Sequence, residues 1–217
     1  MASISFLRGY YDFGIMILVL FYFILRPCEG IKAVRANLRL PSDVLSSTSI
    51  AYIVIPNAKT RWRGPRAQHA SCRDADLIQL LERRYASLGP RRKLFDGNAT
   101  TFRKIWDLVV ASLLMPPLKY TPACLRAGGC CYEFAKSQDI TNLMWRMRIT
   151  SLSTLKHYLQ EVVASSSLAD LDTETRHTLL AAAKTFGFTR QRIVPKAHAV
   201  GSSDSPAVNA SADSAHT

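Results

Sequence analysis

The chain has 217 residues, of which 48% are hydrophobic and 20% charged, enough apolar material for one sizeable core and too much for a chain disordered throughout. Lys and Arg number 28 against 16 Asp and Glu, a net charge of +12, which points to a polyanionic partner such as nucleic acid, an acidic membrane surface or an acidic protein. Five cysteines with no Cys-x-x-Cys spacing argue against a disulfide scaffold and a zinc ribbon, and fit a reducing compartment.

The chain opens with a problem of assignment. Residues 14–25 read GIMILVLFYFIL, twelve uncharged positions bounded by Asp12 and by Arg26 and Glu29. A membrane span needs about twenty such residues. A signal peptide needs a basic start and small residues at its cleavage site, and Arg-Pro-Cys-Glu-Gly follows here instead. The run therefore reads as a helix buried on most sides, ended by Pro27 and Gly30, with Arg26 and Glu29 at its C-terminal edge. A membrane anchor is the competing interpretation.

Residues 31–45 alternate loosely and end in Pro-Ser-Asp, a pattern for a short strand. AYIVI at 51–55 is β-rich, turn formers stand at Pro56, Asn57, Gly64 and Pro65, and residues 67–72 return as the second strand of a hairpin. Beyond this the periodicity becomes helical. Leu77, Leu80 and Leu81 share a face of a helix over 76–85. Phe102, Ile105, Trp106, Val109, Val110, Leu113 and Leu114 keep helical spacing until Pro116-Pro117. Short helices are predicted over 123–136 and 140–147, a further apolar stripe runs from Leu152 to Val162, and a last amphipathic helix covers 171–186. The chain therefore reads as α+β, mostly helical, with a small antiparallel sheet of about three strands. One domain is expected over 1–190, followed by a disordered tail over 191–217 that is Ala/Ser-rich from Pro195 onward.

The positive charge has a location. From Lys59 to Lys104 there are twelve Lys/Arg against four Asp/Glu. Arg61, Arg63 and Arg66 crowd the hairpin tip with Trp62 between them, which suits groove or phosphate contact with nucleic acid better than a generic solvated face does.

Four pieces in order carry a resemblance. Arg126 sits in Leu-Arg-Ala-Gly-Gly, and Tyr158 in Thr-Leu-Lys-His-Tyr-Leu-Gln-Glu. Upstream stand Arg26-Pro27-Cys28-Glu29, after the apolar run, and Ala58-Lys59-Thr60 in the hairpin. Over residues 10–163 this resembles the catalytic domain of tyrosine recombinases of the phage-integrase type, and most closely those of eukaryotic tyrosine-recombinase retrotransposons. The resemblance implies that Arg26, Arg126, Lys59 and Tyr158 are catalytic and that Glu29 supports Arg26. It implies a domain without the family's N-terminal DNA-clamp domain, double-stranded DNA as partner, a homo-oligomer on DNA, no membrane and a nuclear location. No metal or other cofactor is implied.

The chemistry asks for these residue types. Attack on a phosphodiester adds charge to an anion, and two guanidiniums, each able to fork onto two oxygens, stabilise the pentacoordinate state. A phenol with an ordinary pKa near 10 ionises more readily beside them. Lys59 would protonate the leaving 5′-oxygen. The link to tyrosine conserves the bond energy. Two positions depart from the family: Ala123 stands where the His of its His-x-x-Arg box belongs, Ile149 where a later His or Trp belongs. Neither side chain can hydrogen-bond a phosphate, a loss on the order of 10²-fold or more in rate. Taken singly, Arg26 fits a helix cap, Lys59 a basic surface, Arg126 a helix-packing site and Tyr158 a half-buried core tyrosine. A DNA-binding remnant of a mobile element without catalysis, and a membrane-anchored basic protein, are the alternatives to an active recombinase.

Overall fold

The computed structural model describes residues 1–44, 49–58, 68–115, 120–159 and 171–192, with side chains as far as Phe186. Lys59, Arg61, Trp62, Arg63, Arg66 and the tail from residue 193 lie outside the described residues.

The apolar run forms the centre of the protein. Helix α2 (Tyr11–Tyr22) has every residue from Phe13 to Leu20 buried, so it has no solvent face and is surrounded rather than laid on a core. Burial of its seven large apolar side chains contributes on the order of 10 kcal/mol before entropy is counted. Helix α1 (Ala2–Leu7) covers one side of it, and α1 is itself held by α10 (Thr173–Arg192), where Ser3 Oγ donates to the Ala182 carbonyl at 2.8 Å. No helix among the described residues is long and apolar enough to cross a membrane.

The helix does not run to Pro27. It stops at Tyr22, and the chain reverses through Ile24 in the left-handed conformation, φ 50°. The Ile24 amide donates to the Phe21 carbonyl and the Leu25 amide to that of Leu20, the paired bonds of a Schellman cap. A β-branched residue is a poor occupant of that conformation, costing about 1–2 kcal/mol, and complete burial of Ile24 offsets the strain. Pro27 consequently opens the next helix, α3 (Pro27–Ile31), and Arg26 is its N-cap rather than a C-terminal residue of α2.

A 3₁₀ turn at Arg35–Asn37 leads to the sheet. Strands β1 (Leu38–Arg39), β2 (Ala51–Ile55) and β3 (Gln68–Cys72) are antiparallel in the order β1-β2-β3, with Ile53 facing Leu38 on one side and Ala70 on the other. Alternate residues Ala51, Ile53 and Ile55, with Ala70 and Cys72, turn into the core. The strand anticipated over 31–45 is thus only two residues long and gives way to α4 (Pro41–Val44). Helix α5 (Ala75–Tyr85) begins at Asp74, whose carboxylate accepts from the Leu77 amide, and α6 (Ala99–Ala111) begins at Asn98, which accepts from Thr101. Phe102, Trp106, Val109 and Val110 of α6 join the same core.

The remaining helices build a second, smaller cluster against the end of α2. Helix α7 (Cys124–Ser137) packs on α2, α8 (Ile140–Met147) packs on α7, and the short α9 (Leu152–Lys156) follows. Ile24, Cys130, Leu143, Met147 and Leu155 form its buried centre. Gly129 makes the approach of α7 possible: a Cβ there would lie 2.2 Å from the Phe21 carbonyl oxygen. Gly129→Ala is therefore expected to cost about 1–3 kcal/mol. Gln138→Gly, at an exposed left-handed position with φ 51°, is expected to stabilise by about 0.5–1 kcal/mol. Urea unfolding midpoints would show the two shifts in opposite directions.

Candidate functional site

Three helix ends meet beside the second cluster, and each brings a guanidinium. Arg26 caps α3, and Glu29 in the first turn of that helix accepts from the Arg26 backbone amide and from its Nη1, both at 2.9 Å. Glu29 so supplies the carboxylate half of a capping box. Its side chain is 5% exposed, and its other neighbours are also cations. Arg148 Nη2 pairs with Glu29 Oε2 at 2.8 Å across 119 positions of sequence, and Arg126 Nη1 lies 4.0 Å from the same oxygen.

Arg126 is on the first turns of α7, three residues before Gly129, so the close packing at Gly129 lowers it onto the end of α2. Its Nη1 donates to the Ile24 carbonyl at 2.6 Å and its Nη2 to the Met147 carbonyl at 2.7 Å. Both acceptors belong to helix ends that reverse through a left-handed residue. Helix α8 ends like α2: Arg148 has φ 57°, its amide donates to Trp145, and that of Ile149 donates to Met144. This reversal exposes the Met147 carbonyl to Arg126 and directs the Arg148 side chain back to Glu29. The fork of Arg126 is therefore committed to two protein carbonyls, and the accessible member of the cluster is Arg26, at 21% side-chain exposure.

Tyr158 follows α9. Leu155 is wholly buried and anchors that helix, and the Tyr158 carbonyl accepts from Cys131 Sγ of α7 at 3.2 Å. The half-buried ring stands 5.6 Å from the centre of the Arg126 guanidinium. Arg26, Glu29, Arg126 and Tyr158 are thus brought together, from α3, α7 and the segment after α9. Ala123 is exposed at the start of α7 with no side-chain capping bond. Ile149 is half-buried and packs, like Met144, against the second cluster. It offers the site no donor.

The electrostatics are unbalanced. Among the described residues three guanidiniums face one carboxylate, and two of them are almost completely buried. Burial pulls the Arg148 guanidinium down to about 10, against the opposing pull of Glu29. Arg126 is lowered as well, first by burial and then by Arg26, while Glu29 and the Tyr158 phenol act to hold it charged. The Nε atoms of Arg126 and Arg148 are buried and have no hydrogen-bond partner. Arg148 is the member that sequence reasoning misses. In Trp-Arg-Met-Arg-Ile it reads as one of two basic residues answering a helix dipole, and nothing local says that its side chain folds back. Its neighbour Arg146 does stay outside the cluster, pairing with Glu133 and donating to the Tyr22 and Ser71 carbonyls.

A groove of about 770 Å³ lies on the other side of α8, lined by Tyr52, His69, Arg73, Glu133, Trp145 and Arg146 among others, and none of the arginine cluster lines it. No family model, curated protein or solved structure matches the chain.

Two outcomes are expected. Glu29→Gln leaves buried arginines without their shared counter-charge and should cost about 3 kcal/mol at neutral pH in chemical denaturation. Thiol alkylation at pH 8 should modify exposed Cys28 and Cys124 quickly. Cys72 and Cys130 should lag, because burial pushes their thiols up to about 11 and about 12 and keeps them protonated. Peptide mapping of the labelled sites distinguishes the pairs.

Proposed function

We propose that this chain has the tyrosine-recombinase catalytic fold and breaks and rejoins duplex DNA through a covalent 3′-phosphotyrosyl link. What supports this reading is a single convergence. Arg26 and Arg126 meet at one buried carboxylate and the Tyr158 ring stands beside Arg126, although Arg126 is 102 positions from its acceptor Ile24. A cluster with more cations than anions, a phenol at its edge and unspent N–H donors has the chemistry that a phosphodiester requires.

The roles follow from position. Arg26 at the mouth forks onto the non-bridging oxygens of the scissile phosphate. Arg126, fixed by Ile24 and Met147, supplies a charge that cannot swing away, and the Tyr158 ring stands beside it. The Tyr158 oxygen attacks phosphorus, the phosphotyrosyl bond forms, and the bond to the 5′-oxygen breaks. That oxygen takes a proton from Lys59 on the hairpin. The reverse sequence with a different 5′-hydroxyl rejoins the strand, which makes the nucleus the expected location and a homo-oligomer on DNA the expected working form.

A DNA-binding remnant without catalysis is favoured by one observation: the Arg126 fork is occupied by carbonyls, and Ala123 and Ile149 offer no donors. The two are separated by incubating the protein with nicked suicide duplexes of randomised sequence and resolving adducts on a denaturing gel. An active recombinase forms an adduct that Tyr158→Phe abolishes, whereas no adduct from the unaltered chain leaves the remnant. Both require duplex binding that weakens with salt and drops by about tenfold or more when Arg61, Arg63 and Arg66 are all changed to Gln. Binding unchanged in that triple variant removes the hairpin from the interface.

A further inference from the structure

We infer that Arg148 is an additional phosphate-binding residue of this site, supplying from the helix end before Ile149 the donor that positions 123 and 149 no longer carry. The inference rests on the phosphodiester reading of the cluster and names a residue which the resemblance does not. Four observations bear on it. Arg148 is held in a left-handed conformation that returns its side chain to the cluster instead of to solvent. Its side chain is 6% exposed, a heavy desolvation cost for a residue that an ordinary helix end would leave in water. It shares Glu29 with Arg26 and lies within the field of Arg126, so the one carboxylate is divided among three cations. Lastly, its Nε and that of Arg126 are both buried and unpartnered.

A purely structural arginine would be expected to spend its donors. Arg35 of this same protein does so: Nε donates to the Tyr85 carbonyl, Nη1 to that of Leu38 and Nη2 to Asp43. Arg148 makes one strong bond, to Glu29, and one long contact of 3.4 Å to the Arg146 carbonyl. The positive excess around the one carboxylate suits an added anion. A phosphodiester supplies both the charge and the acceptors.

Two measurements on the full chain test this, and one of them does not depend on strand cleavage. Millimolar inorganic sulfate, with chloride holding the ionic strength constant, is expected to raise the melting temperature by ~3 °C. Arg148→Met should lose that rise, Arg148→Lys should keep part of it, and the surface control Arg91→Met should keep all of it. A full rise in Arg148→Met overturns the inference, whether or not the protein cleaves DNA. If the unaltered chain forms the covalent adduct, Arg148→Met should slow it about 10²-fold on an ordinary phosphate. The penalty should shrink toward unity when the scissile phosphate is replaced by an uncharged methylphosphonate. An equal penalty on both substrates would mean that Arg148 acts only on the fold, and adduct formation at the unaltered rate would leave the recombinase reading standing without it. Should Arg148→Met fail to fold, the same two comparisons are made with Arg148→Lys, for which a sulfate response and an adduct rate both equal to the unaltered chain's overturn the inference.

Discussion

The guanidinium of Arg126 joins the carbonyl of Ile24 to the carbonyl of Met147, and the rest of the site is arranged around that bridge. Each carbonyl sits where a helix has just ended, and helix ends leave oxygens without internal partners. A buried carbonyl without a donor costs roughly 1–3 kcal/mol. One arginine satisfies two of them and fixes the separation between the end of α2 and the end of α8. Gly129 is the complementary constraint, since only a residue without Cβ lets α7 come close enough to Phe21 for the bridge to form.

That bridge has an electrostatic consequence. It places a permanent cation in a poorly solvated position, and Glu29 is the nearest anion. Glu29 is in turn held by the N-terminus of α3, whose first amide it accepts, so it cannot leave the site to relieve the crowding. Arg26 and Arg148 then compete for the same carboxylate. Such an arrangement contributes little to stability, because the desolvation of buried charges is repaid only by well-matched partners.

Much of the fold was legible from periodicity. The helices around Leu77, Phe102, Arg126 and Leu143 and the paired strands over 51–55 and 68–72 appear where the apolar spacing put them, since those elements bury one face and leave the other in solvent. Helix α2 was legible for a different reason: its run of apolar residues is too short for a bilayer and has to be surrounded by protein. Its end was misread. Proline is a strong stop signal, but Ile24 and Leu25 had already closed the helix in a cap for which sequence has no marker when the left-handed residue is isoleucine rather than glycine. Arg26 moved in consequence from the end of one helix to the start of another.

Composition and spacing by themselves determined the mostly helical α+β class and the central buried helix, because apolar periodicity is a local property of a chain, while Arg26, Glu29, Arg126 and Tyr158 entered as candidates through the resemblance of short motifs. Lys59 and the arginines of the hairpin tip remain candidates on sequence alone. Only the tertiary structure decided that Arg126 spends its fork on carbonyls and that Arg148 is part of the cluster. Those facts depend on the direction in which a side chain leaves a capped helix end and on which carbonyls face it across a hundred residues of intervening chain, and neither is encoded in the spacing of neighbouring residues.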